Sequence, residues 1–275
     1  MLNRLMGIVP NASEHGYLVD HMLEFCHWFM LLLFIGWFAF FMFTLFRFHR
    51  SRNPKANYHG VKSKVSAHLE FSVVLVEAVL LLGFALPLWG NRVNEFPDTT
   101  EALRVRVIGE QFAWNFHYPG TDGEFGRVDR QFVAGNNPLG LDPNDPAAKD
   151  DLVSKNELYL VNHRPVILDI SSKDVIHSLS LHHMRHDQDA IPGLRIPMWF
   201  RPIRTGEFEI VCAQLCGAGH YAMKSMMFVV EQADYDTWTK GLLEMQHPEL
   251  AVAAAAAAAS ATPATPPPSS TPAAQ

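Results

Sequence analysis

Apolar residues fill two long stretches near the start of the chain and then give way to short alternating runs. Residues 25–46 (FCHWFMLLLFIGWFAFFMFTLF) are 22 consecutive positions in which His27 is the only ionisable side chain. At ~1.5 Å of rise per residue such a helix crosses a hydrocarbon core of roughly 30 Å. Residues 71–90 form a second run, interrupted only by Glu77. The first run is too long and too far from residue 1 for a signal-peptide core, and no small-residue cleavage site follows it. The pattern predicts a transmembrane hairpin over 22–91, with helices at about 23–46 and 69–90, after a short outside segment, 1–21.

Past residue 91 the hydrophobic period changes to two. Alternation predicts strands at 102–108, 111–118, 158–162, 165–171, 207–212 and 226–231, followed by one helical patch at about 233–246. Turn signals such as Tyr118-Pro119-Gly120, Asp122-Gly123 and Ile191-Pro192-Gly193 separate them. Many short strands with one late helix point to an all-β sandwich or Greek-key barrel over 92–246. Residues 120–156, rich in Gly, Asp, Pro and Asn, read as a long surface insertion, and residues 247–275 as a disordered Ala/Pro/Ser/Thr tail.

Composition sharpens this outline. With 48% hydrophobic and 18% charged residues the chain has too much apolar surface to be disordered throughout. A net charge of −6 argues against a nucleic-acid partner, and three cysteines are too few for a disulfide-built scaffold. Residues 47–68 carry Arg47, Arg50, Arg52, Lys55, Lys62 and Lys64 and no acidic residue. By the positive-inside rule this loop is cytoplasmic, which puts the N-terminus and the β domain outside, in the periplasm of a bacterial inner membrane. Residues 91–275 hold 15 basic and 23 acidic side chains, an excess that can attract a basic protein partner. Glu70 stands at the cytoplasmic end of the second helix, and Glu77, seven residues on, shares its face. A carboxylate at the depth of Glu77 is costly unless neutral or partnered, so it is expected to face another subunit.

The chemistry concentrates in residues 211–223, VCAQLCGAGHYAM. This segment places Cys212, Cys216, His220 and Met223 within 12 residues, directly after a predicted strand. Thiolates, a thioether and an imidazole together select copper, above all in a redox role. On the residues alone a Cys212–Cys216 disulfide and a zinc site compete with that reading, although a thioether is an unusual zinc ligand. No Cys-x-x-Cys-His occurs, so covalently attached haem is excluded. Cys26 lies within the first span and reads as packing.

A two-helix hairpin followed by an outside β domain with Cys-x3-Cys-x3-His-x2-Met resembles subunit II of the haem–copper cytochrome c oxidases, over about residues 20–245. The segments DVIHS at 174–178 and DAIPG at 189–193 match it as well. The resemblance implies a cupredoxin-like Greek-key sandwich holding a dinuclear CuA centre. Two copper ions would be held by His177, Cys212, the backbone carbonyl of Gln214, Cys216, His220 and Met223. It further implies electron transfer from cytochrome c, or a membrane-bound cytochrome donor, to haem in subunit I, where oxygen is reduced and protons are moved. Oxidase subunit I and the other oxidase subunits are the implied partners. With Ala85-Leu86-Pro87 as anchor, Glu70 aligns with the family glutamate at the mouth of a proton path into subunit I.

Three departures stand out. Gln214 occupies the place of a Glu whose carboxylate commonly helps bind Mg or Mn against subunit I; copper ligation through the backbone survives the change, whereas that Mg or Mn site loses a ligand. In the aromatic patch QFAW at 111–114, Phe112 and Trp114 are expected to receive electrons, with Phe112 where the family usually presents a Trp. The insertion and the cluster His182, His183 and His186 have no counterpart; the histidines read as solvated or docking groups, with a second metal site as the alternative. A quinol oxidase subunit would lack the copper ligands. A membrane-anchored copper store, or a structural subunit with a disulfide, would differ from an oxidase subunit in redox behaviour.

Overall fold

The first apolar run folds as α2 (Gly16–Arg47), after a short α1 (Leu2–Leu5) that turns back on it through Asn3 and the Asp20 carbonyl. The computed structural model describes residues 2–55, 58–60, 63–250 and 252; Lys62 of the basic loop and most of the tail lie outside these. At 32 residues α2 outruns the predicted 23–46, because the more polar residues 16–22 continue the same backbone ladder beyond the hydrocarbon. His27 satisfies its ring inside the span by bonding the Leu23 carbonyl one turn back, 2.7 Å away. The second run is α3 (Val65–Leu80), a π-helical turn over Leu81–Ala85 and α4 (Leu86–Asn94). Pro87 has no N–H to donate, and its ring crowds the preceding turn; the wider π turn lies just upstream of it. Stacked rings of Phe25 and Phe84, 6.4 Å apart, join the two spans near this end.

Ten strands among the described residues form two five-stranded sheets. One has the order β3 (Leu152–Lys155), β2 (Ala113–Tyr118), β1 (Leu103–Glu110), β5 (Val166–Ser172), β8 (Ile196–Phe200). The other runs β4 (Glu157–Val161), β10 (Lys224–Val230), β9 (Gly206–Cys212), β6 (His177–Leu181), β7 (His186–Ala190). Pairing is antiparallel except β1 with β5 and β4 with β10, so chain neighbours cross between sheets as in a cupredoxin-like sandwich. Period-two alternation sets the faces: Leu103, Val105 and Val107 of β1 point into the core, while Arg104 and Arg106 point out. The inner faces meet around Trp114, Phe116, Leu158, Leu168, Ile170, Phe200 and Ile210, all without solvent exposure. The closing helix α5 (Gln232–Gln246) docks by stacking Trp238 on Tyr159, with centroids 4.2 Å apart.

The segment expected to be a surface insertion is more integrated than that. Its end becomes β3, and the rest covers the outer face of β2, where Asp151 bonds His117 at 2.7 Å with both side chains fully buried. Phe125 packs edge-on to that imidazole, and Arg106 donates to the Gly126 carbonyl. This cover makes β2 buried on both faces.

Residues 9–15, just before α2, strap the hairpin to the β domain. Ala12 N–H donates to the His183 carbonyl, Glu14 N–H to that of Arg201, and Ile203 N–H to that of Ala12. Arg185 forks onto Asp20 at 2.7 and 3.1 Å and reaches the Val9 carbonyl. Two of the three clustered histidines belong to this joint: His183 bonds the Pro10 carbonyl and His186 lies edge-on to His15, while His182 meets Ser180.

Candidate metal centre

Sheet register brings the candidate ligands together. Cys212 ends β9 opposite Leu179 of β6, so His177, two residues before Leu179, reaches the start of the loop that follows Cys212. That loop, 213–223, returns to β10 and is closed at its base where Cys212 N–H donates to the Met223 carbonyl. A short turn over His220–Ala222 swings His220 and Met223 back toward the two cysteines.

The donors form a paired array. The thiols of Cys212 and Cys216 lie 3.9 Å apart. His177 Nδ1 is 3.9 Å from the Cys212 sulfur, and His220 Nδ1 is 3.6 Å from the Cys216 sulfur. Met223 Sδ stands 3.7 Å from Cys216, and the Gln214 carbonyl accepts from the Cys212 thiol at 3.2 Å. Ligand atoms of His177, Cys212 and Cys216 all fall within 4.8 Å of one another. Both cysteines are free, and 3.9 Å is far beyond the roughly 2.05 Å of a disulfide. Burial and the adjacent Cys212 push the Cys216 thiol up to about 11, so a metal arriving here displaces protons. Two thiols, two imidazoles, a thioether and a carbonyl form a soft donor set suited to copper.

Supporting groups hold this array in place. Asp174 Oδ1 takes the His177 Nε2 hydrogen at 2.9 Å, which leaves Nδ1 directed at the sulfurs. Burial alone would raise the Asp174 carboxyl, but hydrogen bonds from His177 and from the backbone N–H groups of Gln111 and Val175 outweigh it and hold its pKa below the ordinary value. Gln111 spans the site, its amide side chain donating to the Cys216 carbonyl at 2.6 Å. Gly109 leaves room for the imidazole: a Cβ there would sit 2.9 Å from His177 Cδ2 and 3.2 Å from Trp114 Cζ3. Sequence reasoning did not single out Gly109 or Gln111. The signal for Gln111 was its place beside Phe112; Gly109 offered none beyond a glycine inside a strand pattern.

Residues 103–233 match the family described as cytochrome c oxidase subunit II, periplasmic domain. An alternative cytochrome c oxidase subunit 2 from Bradyrhizobium diazoefficiens is 35% identical over 231 residues, covering 83% of this chain and 81% of that protein. The chain belongs to the cytochrome c oxidase subunit II family. A cytochrome c oxidase subunit 2 from Cereibacter sphaeroides is 28% identical, covering 72% of this chain and 67% of that one. Among solved structures, the periplasmic domain of subunit II of the Bradyrhizobium japonicum cytochrome oxidase aligns at 25% identity with a TM-score of 0.41, over 55% of this chain and 99% of that one.

As a member of this family the chain is a membrane-anchored subunit of a haem–copper oxidase, with two helices long and apolar enough to cross the bilayer. The structure brings together all six predicted metal donors. It separates the two aromatics. Phe112 is 39% exposed and lies over Gly217 and Gly219, where a Cβ would meet its ring at 3.1 and 2.5 Å. Trp114, expected beside it on the electron-receiving surface, is wholly buried, because both faces of β2 are covered and its ring packs edge-on to His177. Glu70 is exposed near the start of α3, on the far side of the span from the β domain.

Proposed function

We propose that this chain receives electrons from a c-type cytochrome at a dinuclear copper site and passes them to haem in subunit I of an aerobic terminal oxidase. The paired donor array carries the reading: two free thiols 3.9 Å apart, each with its own imidazole, bounded by the Gln214 carbonyl and the Met223 thioether. His177, Cys212, Gln214 through its carbonyl, Cys216, His220 and Met223 would hold two copper ions, and such a pair supplies reversible one-electron chemistry. The protein's part is rigidity. His177, Cys212, Cys216 and Met223 are buried between two hydrogen-bonded sheets, and Asp174 fixes the imidazole before any metal arrives. Phe112 presents an apolar edge directly over the loop, which suits it to meet the donor, while the acidic excess of residues 91–275 favours a basic docking face on that donor.

The cytoplasmic basic loop sets the orientation, with the β domain in the periplasm. Glu70 then lies at the cytoplasmic end of α3, where it would feed a proton path in subunit I. The Gln214 side chain is exposed and lacks the carboxylate that a Mg or Mn ion at the subunit I boundary would want. Copper stoichiometry and electron paramagnetic resonance on the detergent-solubilised full chain test the reading. Two coppers per chain sharing one unpaired electron are expected. One copper, or none after reduction and reloading, would sink it.

A further inference from the structure

Glu77 is the single ionisable side chain of the second apolar run, and the fold gives it nothing to bind. It lies exposed on α3, and its side chain makes no hydrogen bond or ion pair among the described residues. The other span offers no partner. Phe25 of α2 stacks on Phe84, which sets the two antiparallel spans level at that point. Counting seven residues inward along each, Glu77 stands at the height of Leu32, within residues 30–34 (MLLLF), all apolar. His27 is about 7.5 Å nearer the outside, at ~1.5 Å per residue. One of its ring nitrogens is already held by the Leu23 carbonyl.

A carboxyl turned toward acyl chains at this depth is strongly disfavoured; such groups face protein or water, and they mark ion and proton routes. Its place on the helix says which route. Glu70 stands one residue before the apolar run begins, and Glu77 follows seven residues later on the same unbroken α3. Seven residues are nearly two full turns, so the two side chains leave the helix within about 20° of each other. Along the axis they are about 10.5 Å apart, roughly a third of the hydrocarbon core. Val73 and Val74 occupy the turn between them, so no polar side chain of α3 bridges the gap on that face. A file of about three waters at ~2.8 Å spacing, or polar side chains of a neighbouring subunit, spans that distance. A cation of a neighbouring subunit would satisfy Glu77 alone, but it would leave the alignment with Glu70 without a use.

We propose that Glu77 is a proton-carrying residue of the oxidase, the next carboxyl inward from Glu70 on the way to subunit I. The direction of travel rests on the orientation and on the reading of Glu70 given above. A proton from cytoplasmic water passes Glu70, crosses the water file and forms an O–H bond on the Glu77 carboxylate. That bond breaks toward subunit I and the carboxylate is restored; no electron moves. The test uses the assembled oxidase with a saturating reduced donor. Turnover in H2O and in D2O is measured beside haem and copper content for Glu77→Gln, Glu77→Asp and Glu70→Gln. Glu77→Gln should slow turnover by about tenfold or more at full haem and copper content and enlarge the solvent isotope effect. Glu77→Asp, which keeps a carboxyl, should recover most of the rate. The double variant Glu70→Gln with Glu77→Gln should be no slower than the slower single one, because the two groups act in series. Slow Glu77→Gln beside normal Glu70→Gln would move the mouth of the path away from Glu70 and leave Glu77 as its carrier. Wild-type turnover in Glu77→Gln would overturn the proposal whatever Glu70→Gln does. Slowing that only tracks lost haem or copper would also overturn it, since Glu77 would then be a structural contact.

Discussion

Gly109 shows how a single hydrogen atom shapes the metal centre. Its missing side chain is the space the His177 ring occupies, and both neighbours that an added methyl would strike, His177 and Trp114, are fully buried and cannot swing away. Gly109→Ala is therefore expected to cost about 1–3 kcal/mol of stability by overpacking and to lower copper affinity with it. Urea unfolding and copper titration on the same preparation check both. Wild-type copper affinity would mean that the imidazole is not held by this contact. Asp174 acts differently, since it touches His177 through one hydrogen bond and leaves the core alone. Asp174→Asn removes the charge that makes Nδ1 a better donor to metal, and it turns one of two accepting oxygens, which serve His177, Val175 and Gln111, into a donor. It should reduce copper affinity by about 10–100-fold and cost about 1–3 kcal/mol of stability for the lost acceptor. A large fall in melting temperature with unchanged copper affinity would reverse the roles assigned to these two residues.

At the scale of elements, the strap over residues 9–15 ties the membrane hairpin to the sandwich, and it carries a pH dependence. His15 is depressed to about 3 by burial, then by His186 and Arg92; His186 is depressed to about 4 by burial, then by Arg92. Once released, each ring takes up a proton near pH 6.5, while docked it stays neutral until pH 4 or below. The docked state thus binds fewer protons, and its stability, full above pH 6.5, is lost as pH falls toward 4. Hydrogen exchange of the Ala12 and Glu14 amides should accelerate by up to about tenfold per pH unit per histidine over that range, beyond the intrinsic trend. Flat, corrected exchange would show that the histidines do not couple to docking. This joint was hard to read in the sequence, because it unites residues near 12 with residues near 185 and 202 that share no pattern. The strands tell the same story. The six predicted ones, five interior strands and the edge strand β4, contain inward-facing apolar positions at period two, whereas the other edge strands, β3, β7 and β8, are short and tolerate Pro197 and the polar run HDQDA. The sixth of the interior positions, β6, hid its burial behind two serines that find partners in Asp187 and His182. By contrast the candidate metal loop was legible because four of its proposed side-chain donors come from one 12-residue stretch, while Gly109 and Gln111 reach it only across the sheets.

The whole molecule places its two kinds of chemistry at opposite ends of the hairpin. The sulfur and imidazole donors sit in the sandwich beyond the end of α4, whereas Glu70 lies near the start of α3, next to the basic loop, with about 24 residues of helix between it and Asn94. At ~1.5 Å per residue that is roughly 36 Å, more than the hydrocarbon thickness, so neither group can act directly on the other. Glu70 is exposed on its helix and has no ion pair among the described residues, so its carboxylate is open to a neighbouring subunit. If Glu70 feeds protons there, Glu70→Gln in the assembled oxidase should slow oxygen reduction, because the amide can accept a hydrogen bond but cannot carry a proton at neutral pH. The copper absorption and paramagnetic signals should stay unchanged, since no ligand or supporting group has moved. Turnover with a saturating reduced donor, measured beside the copper spectrum, separates the two ends. Slower turnover with an intact spectrum supports a proton role, unchanged turnover removes Glu70 from the path, and an altered spectrum would mean that the hairpin transmits strain across the membrane, which its separate hydrogen-bonded joint at residues 9–15 gives no reason to expect.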